Sequence, residues 1–98
     1  MKEYHENWEF EFEGEYLDGR RNGKGKEYNG INLKFEGEYL NGQRNGKGKE
    51  YDDYFGLIFE GEYLNGQRNV KGKEYDDNGR LIFEGLYLNG QRNKRMWW

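Results

Sequence analysis

The chain has 98 residues, 36% of them charged, a net charge of −3 and no cysteine. That length admits one domain or one array, the missing cysteine excludes a disulfide framework or a thiolate metal site, and no apolar run approaches the roughly 20 residues that span a bilayer as a helix. Only 33% of residues are hydrophobic and more than half of these are aromatic (nine Tyr, six Phe, three Trp), which excludes an ordinary aliphatic two-layer core and argues against disorder.

The first residues, Met1 to Glu6, carry no apolar stretch and do not read as a secretory leader. Tyr4 precedes Phe12 by eight residues, as Tyr51 precedes Phe59 and Tyr75 precedes Phe83. Residues 1–11 therefore read as the back half of a repeating unit. The phrase FEGEYLDGRRN opens at Phe12, FEGEYLNGQRN at Phe35 and again at Phe59, and FEGLYLNGQRN at Phe83. The steps of 23, 24 and 24 residues mark a repeat array. Full units are assigned to 12–34, 35–58 and 59–82, and a C-terminal capping unit to 83–98.

Each unit predicts a β-hairpin. Phe35, Gly37 and Tyr39 alternate with Glu36 and Glu38, the period of a strand. Asn41-Gly42 and Asn45-Gly46 signal a turn region, Lys47 to Tyr51 forms a return strand, and Asp76-Asp77-Asn78-Gly79 is a further turn that feeds the next strand. Glycine at 16 positions and the lack of any 3.6-residue period oppose helices. A hairpin centred on Gln43 with an odd-numbered loop pairs Phe35 with Tyr51 and gathers Phe35, Gly37, Tyr39 and Tyr51 on one face. The alternative, a two-residue Asn41-Gly42 turn, sends Tyr51 to the other face. The first is preferred because it keeps the rings together. Hairpins docked edge to edge predict one open antiparallel sheet of nine strands, roughly 40 Å long at about 4.8 Å per strand, and twisted.

Thirteen of the sixteen Lys and Arg lie in the RNxKxK phrase: Arg20, Arg21, Lys24 and Lys26; Arg44, Lys47 and Lys49; Arg68, Lys71 and Lys73; Arg92, Lys94 and Arg95. Stacked units turn them into a basic stripe that can attract phosphates, or into cross-strand Glu–Lys pairs that keep a sheet in solution.

Catalysis finds no support. His5 is the single histidine, and Ser, Thr and Cys are absent, so no hydroxyl or thiol nucleophile of those types exists. Asp76 to Gly79 lacks calcium-loop spacing and reads as a turn. Gly23-Lys24-Gly25-Lys26 lacks the GK[ST] end and the helix of a phosphate loop. Aromatics interleaved with Lys and Arg could stack nucleic-acid bases, but these rings are committed to packing. No metal, cofactor, nucleic acid or small-molecule substrate is expected.

The phrases at 12–28 and 35–51 resemble the MORN repeat: aromatic-x-Gly-x-aromatic, a Gly-containing loop, then Gly-x-Gly and an aromatic. The motif positions are Phe12, Gly14, Tyr16, Gly19, Gly23, Gly25 and Tyr28, then Phe35, Gly37, Tyr39, Gly42, Gly46, Gly48 and Tyr51. In the third copy they are Phe59, Gly61, Tyr63, Gly66, Gly72 and Tyr75, with Val70 in place of a glycine. The fourth keeps Phe83, Gly85, Tyr87 and Gly90. The last tyrosine comes three residues after the second glycine rather than the usual four, as in divergent variants. The resemblance covers nearly the whole chain. It implies an elongated all-β ribbon of hairpins and roles in scaffolding, oligomerisation and partner docking, sometimes in phospholipid binding, and it implies no enzyme. Tyr75 to Leu81 is also similar to one copy of the YD repeat of toxin shells.

Where the fourth unit should read GKGKEY it reads Lys94-Arg95-Met96-Trp97-Trp98. With the Gln43-type centring, Met96 lies across from Leu86, which replaces the usual Glu, and Val70 lies opposite or diagonal to Leu86. Val70, Leu86, Met96, Trp97 and Trp98 are therefore assigned as an apolar patch, a terminal cap and a docking site for a protein partner or a second copy. The competing reading is a peripheral membrane module that holds anionic phospholipid headgroups through Arg20, Arg21, Lys24, Lys26, Arg44, Lys47, Lys49, Arg68, Lys71 and Lys73. The expected location is cytoplasmic, at a membrane surface in the second reading.

Overall fold

The computed structural model describes residues 1–4, 10–54 and 56–93. Nine strands form in chain order: β1 (Lys2–Tyr4), β2 (Phe10–Leu17), β3 (Arg20–Asn29), β4 (Asn32–Leu40), β5 (Gln43–Asp52), β6 (Gly56–Leu64), β7 (Gln67–Tyr75), β8 (Leu81–Leu88) and β9 (Gln91–Arg92). All neighbours are antiparallel and the spatial order is the chain order, so the fold is one open all-β meander of hairpins. Its long axis is 41 Å, matching the length expected from strand count.

The hairpin register departs from the prediction. Leu40 pairs with Gln43 around a two-residue Asn41-Gly42 turn, with φ of 51° and 88° at its two central residues. This is the mirror-image turn whose twist matches that of the strands, and Asp18-Gly19, Asn65-Gly66 and Asn89-Gly90 repeat it. Between the Tyr39–Arg44 and Gly37–Gly48 pairs, the single residue Glu38 faces Asn45, Gly46 and Lys47. The return strand thus carries two extra residues, an even number, and parity is conserved across the bulge. Phe35 consequently pairs with Glu50 and not with Tyr51. Tyr51 points to the opposite face, where its hydroxyl donates to Glu36 at 2.6 Å. The single-faced trio of Phe35, Tyr39 and Tyr51 is therefore corrected to a pair. Turn chemistry outweighs the gathering of a third ring, and Glu50 occupies the place that ring would have taken.

The core lies on one side of this single layer. Phe12, Phe35 and Phe59 are fully buried, and Tyr39, Tyr63 and Tyr87 nearly so. Each of these Phe rings meets the tyrosine of its own unit and that of the next edge to face, as Phe35 does with Tyr39 at 5.7 Å and Tyr63 at 5.1 Å. The zigzag continues from Tyr16 to Phe83, and such pairs add about 0.5–1.5 kcal/mol each beyond burial. Beneath each ring lies a glycine pair. A Cβ on Gly48 would stand 2.5 Å from Phe35 Cζ, and one on Gly37 2.6 Å from the Gly48 Cα. The rings do pack over bare glycines, as the sequence pattern predicts.

Candidate interaction surface

On the ring face, Arg21, Arg44 and Arg68 each place the guanidinium carbon 4.1 Å above the centre of Phe12, Phe35 and Phe59, and Arg92 sits 4.5 Å above Phe83. Each arginine also donates two bonds to a glutamate of the preceding return strand: Arg44 to Glu27 at 2.8 and 3.0 Å, Arg68 to Glu50 at 2.9 and 3.0 Å. The tyrosine hydroxyl joins the same carboxylate, Tyr39 to Glu27 at 2.5 Å and Tyr63 to Glu50. Glu3 with Arg21 and Tyr16, and Glu74 with Arg92 and Tyr87, repeat the clasp. Burial alone would push the Glu27 and Glu50 carboxyls up; the hydrogen bonds from Arg and Tyr overcome it and hold both below the ordinary carboxylate value. Burial, then the carboxylate partner, pushes the Tyr39 and Tyr63 phenols well above theirs.

These clasps correct the expected basic stripe. Arg21, Arg44 and Arg68 lie on the ring face in ion pairs, while Lys24, Lys26, Lys47, Lys49, Lys71 and Lys73 lie on the other face, so the RNxKxK cations are not one row. Arg20 stands opposite Leu17 at the turn edge. The clasp itself escaped the sequence reading, although Arg, Glu and Tyr recur with the unit period and that recurrence is its signal.

The second face is exposed and striped. One ladder runs Glu13, Lys26, Glu36, Lys49, Glu60, Lys73, Glu84 across seven strands. A parallel ladder pairs Lys24 with Glu38, Lys47 with Glu62, and Lys71 with Leu86. Even-numbered strands from β2 to β8 thus carry glutamates and odd-numbered strands from β3 to β7 carry lysines. Between the ladders runs a trough of about 1040 Å³ whose floor is the glycine row. Nothing rises from that floor, because a Cβ at these positions points to the ring side, where it would meet Phe12, Phe35 or Phe59. Along one edge, beside the turns, Leu17, Leu40, Leu64 and Leu88 are 60%, 49%, 48% and 55% exposed, one per hairpin. The sequence reading passed over this leucine row.

Of the predicted apolar patch, Leu86 lies on the striped face opposite Lys71, and Val70 pairs with Tyr87, diagonal to Leu86. Met96, Trp97 and Trp98 lie outside the described residues, as do His5, Lys94 and Arg95. The Asp76 turn is a turn: its carboxylate accepts the Asn78 and Arg80 N–H groups, each at 2.9 Å. Among the described residues no group of three or more His, Asp or Glu side chains is placed to hold a metal ion.

No curated protein matches the chain. A family model described as the MORN repeat matches at three tandem positions, residues 12–30, 35–53 and 59–80. Each match spans one hairpin with its aromatic-glycine strand, its bulged return strand and the start of the following turn. On that coverage, and on a strand register that recurs in all three matched units, the chain belongs to the MORN repeat family.

Proposed function

We propose that the chain is a self-associating, non-catalytic scaffolding module whose docking surface is the striped face, with Leu86 and Val70 at one end of it. MORN repeats are typically protein- or membrane-interaction modules rather than enzymes. The observation that carries the reading is the strand-by-strand alternation of Glu and Lys on a broad exposed face. Two copies set face to face, with a two-fold axis along the strands and midway between β4 and β5, bring the glutamate strands β2, β4 and β6 over the lysine strands β7, β5 and β3. The same offset of about 4.8 Å drops each edge leucine between two of its partner's. The sheet outline of 41 by 30 Å leaves room for the roughly 800 Å² per partner of a standard interface.

Molar mass should rise with concentration in sedimentation, and added salt should weaken the association because exposed charge pairs are screened. Lys49→Glu, which puts a carboxylate between Glu36 and Glu60 and breaks the alternation, should reduce the association at least about tenfold with an unchanged β-sheet circular dichroism spectrum. A mass that stays monomeric for the native chain at all concentrations would end the self-association reading. The lipid reading is tested alongside by flotation with anionic vesicles at low and physiological salt, and no flotation at either removes it.

A further inference from the structure

Seven Asn-Gly dipeptides punctuate the chain, at 22–23, 29–30, 41–42, 45–46, 65–66, 78–79 and 89–90. Each is capable of one reaction. The glycine nitrogen, on losing its proton, attacks the asparagine Cγ. An N–Cγ bond forms, the Cγ–Nδ2 bond breaks, and the side-chain nitrogen leaves as ammonia. Water then opens the five-membered imide. Cleavage of the new N–Cγ bond leaves aspartate; cleavage of the bond to the main-chain carbonyl carbon leaves isoaspartate. Water is the only co-reactant. The reaction needs a glycine N–H that is not already held and an asparagine side chain that can turn towards it.

The fold sorts the seven. The N–H groups of Gly42, Gly66 and Gly90 donate to the carbonyls of Arg21, Arg44 and Arg68 in the preceding unit, at 2.9, 2.9 and 3.1 Å. Gly79 donates to the Asp76 carbonyl at 3.0 Å. Asn22 and Asn45 sit inside β3 and β5, and their Oδ1 atoms accept the N–H groups of Asn41 and Asn65 at 3.4 and 3.3 Å. Asn29-Gly30 differs from all of these. Asn29 and Asn32 pair around the two-residue Gly30-Ile31 turn, and Ile31 is 96% exposed. Among the described residues the Gly30 N–H donates to no partner.

We propose that Asn29 is a site of spontaneous deamidation, while the asparagines of the four other turns are shielded by the bonds that hold their glycine N–H groups. The aspartate product adds a negative charge at the tip of the β3–β4 hairpin. The isoaspartate product lengthens the main chain by one methylene at the residue that closes the turn, which costs the Asn29–Asn32 pair. The proposal stands independently of the docking surface.

The full chain is held in mildly alkaline buffer at physiological temperature, and conversion at each asparagine is followed by mass spectrometric peptide mapping. Asn29 should convert roughly fivefold faster than Asn41, Asn65 and Asn89, the rate equivalent of one hydrogen bond of about 1 kcal/mol. Asn29→Gln should abolish the earliest mass gain. In denaturant all seven sites, each followed by glycine, should convert at similar rates. Equal rates in the folded chain would overturn the proposal. So would a preference for Asn29 that survives denaturation, since sequence neighbours and not the fold would then set it.

Discussion

Glu50 shows how much a single side chain is asked to do. It occupies a ring-face position opposite Phe35 and Phe59, accepts two bonds from Arg68 and one from Tyr63, and thereby joins one unit to the next. Such clasps make stability depend on pH at both ends of the scale. Glu27, Glu50 and Glu74 titrate below the ordinary 4.5 in the fold, so the unfolded chain binds more protons in acid. Their contribution is complete above about pH 4.5 and is lost as pH falls through the depressed values. The phenols of Tyr39, Tyr63 and Tyr87 are raised above 10.0 by burial and by their carboxylate partners. On the striped face, Tyr51 is pushed up to about 12, by burial and then by Glu36, and Tyr75 to about 12, by the Glu60 hydrogen bond and then by burial. Their contribution is complete below pH 10 and is lost as pH rises through the raised values. Urea titrations across pH should therefore give a plateau between these limits with a fall on each side. Stability that stayed level from pH 6 down to pH 3 would contradict the glutamate clasps.

At the scale of the strand, the bulge is the decisive device. Glu15 and Glu38 fold back onto it, their carboxylates accepting the Lys24 and Lys47 N–H groups at 2.7 and 2.8 Å. The residue before each lysine is a glycine with φ of 96° or 99°, and a Cβ there would stand 2.6 or 2.4 Å from the carboxylate oxygen. Val70 occupies the third such position with φ of 68°, a conformation in which a β-branched residue is strained. Val70→Gly should raise stability by about 1–2 kcal/mol, read as a higher denaturant midpoint with an unchanged slope; an unchanged or lower midpoint would count against the strain. Because Val70 also belongs to the proposed docking end, the same variant should weaken association. A residue kept at a cost to the fold fits a role at the surface.

Across the whole molecule, no unit has a core of its own. Phe12 is closed by Tyr39 of the next unit, Phe35 by Tyr63 and Phe59 by Tyr87, and the turn glycines Gly42, Gly66 and Gly90 are tied to the unit before them. Contacts stay between neighbours, so stability should behave as a sum of units and junctions. Excising residues 35–58 brings Tyr63 to the place that Tyr39 holds over Phe12 and beside Glu27. The shortened chain, two strands smaller, should still fold, with a lower midpoint and a smaller denaturant slope. Loss of all cooperative structure in that variant would refute the modular account.

The period, the hairpins, the open all-β class and the ring-over-glycine face were legible in the sequence, because strand alternation and Asn-Gly turns are local properties that each unit repeats. The face taken by Tyr51 and by the arginines was not. It depends on whether the return strand gains an odd or an even number of residues in its bulge, and no alternation within one strand records that count. Only when hairpins stand side by side does Glu50 come within reach of Arg68 and Tyr63, and the desolvated carboxylate then selects the register that gives it those partners. The interleaving of Lys and Glu into stripes follows from the same choice, since it sends Arg21, Arg44, Arg68 and Arg92 to the rings and leaves the ladder lysines to face water.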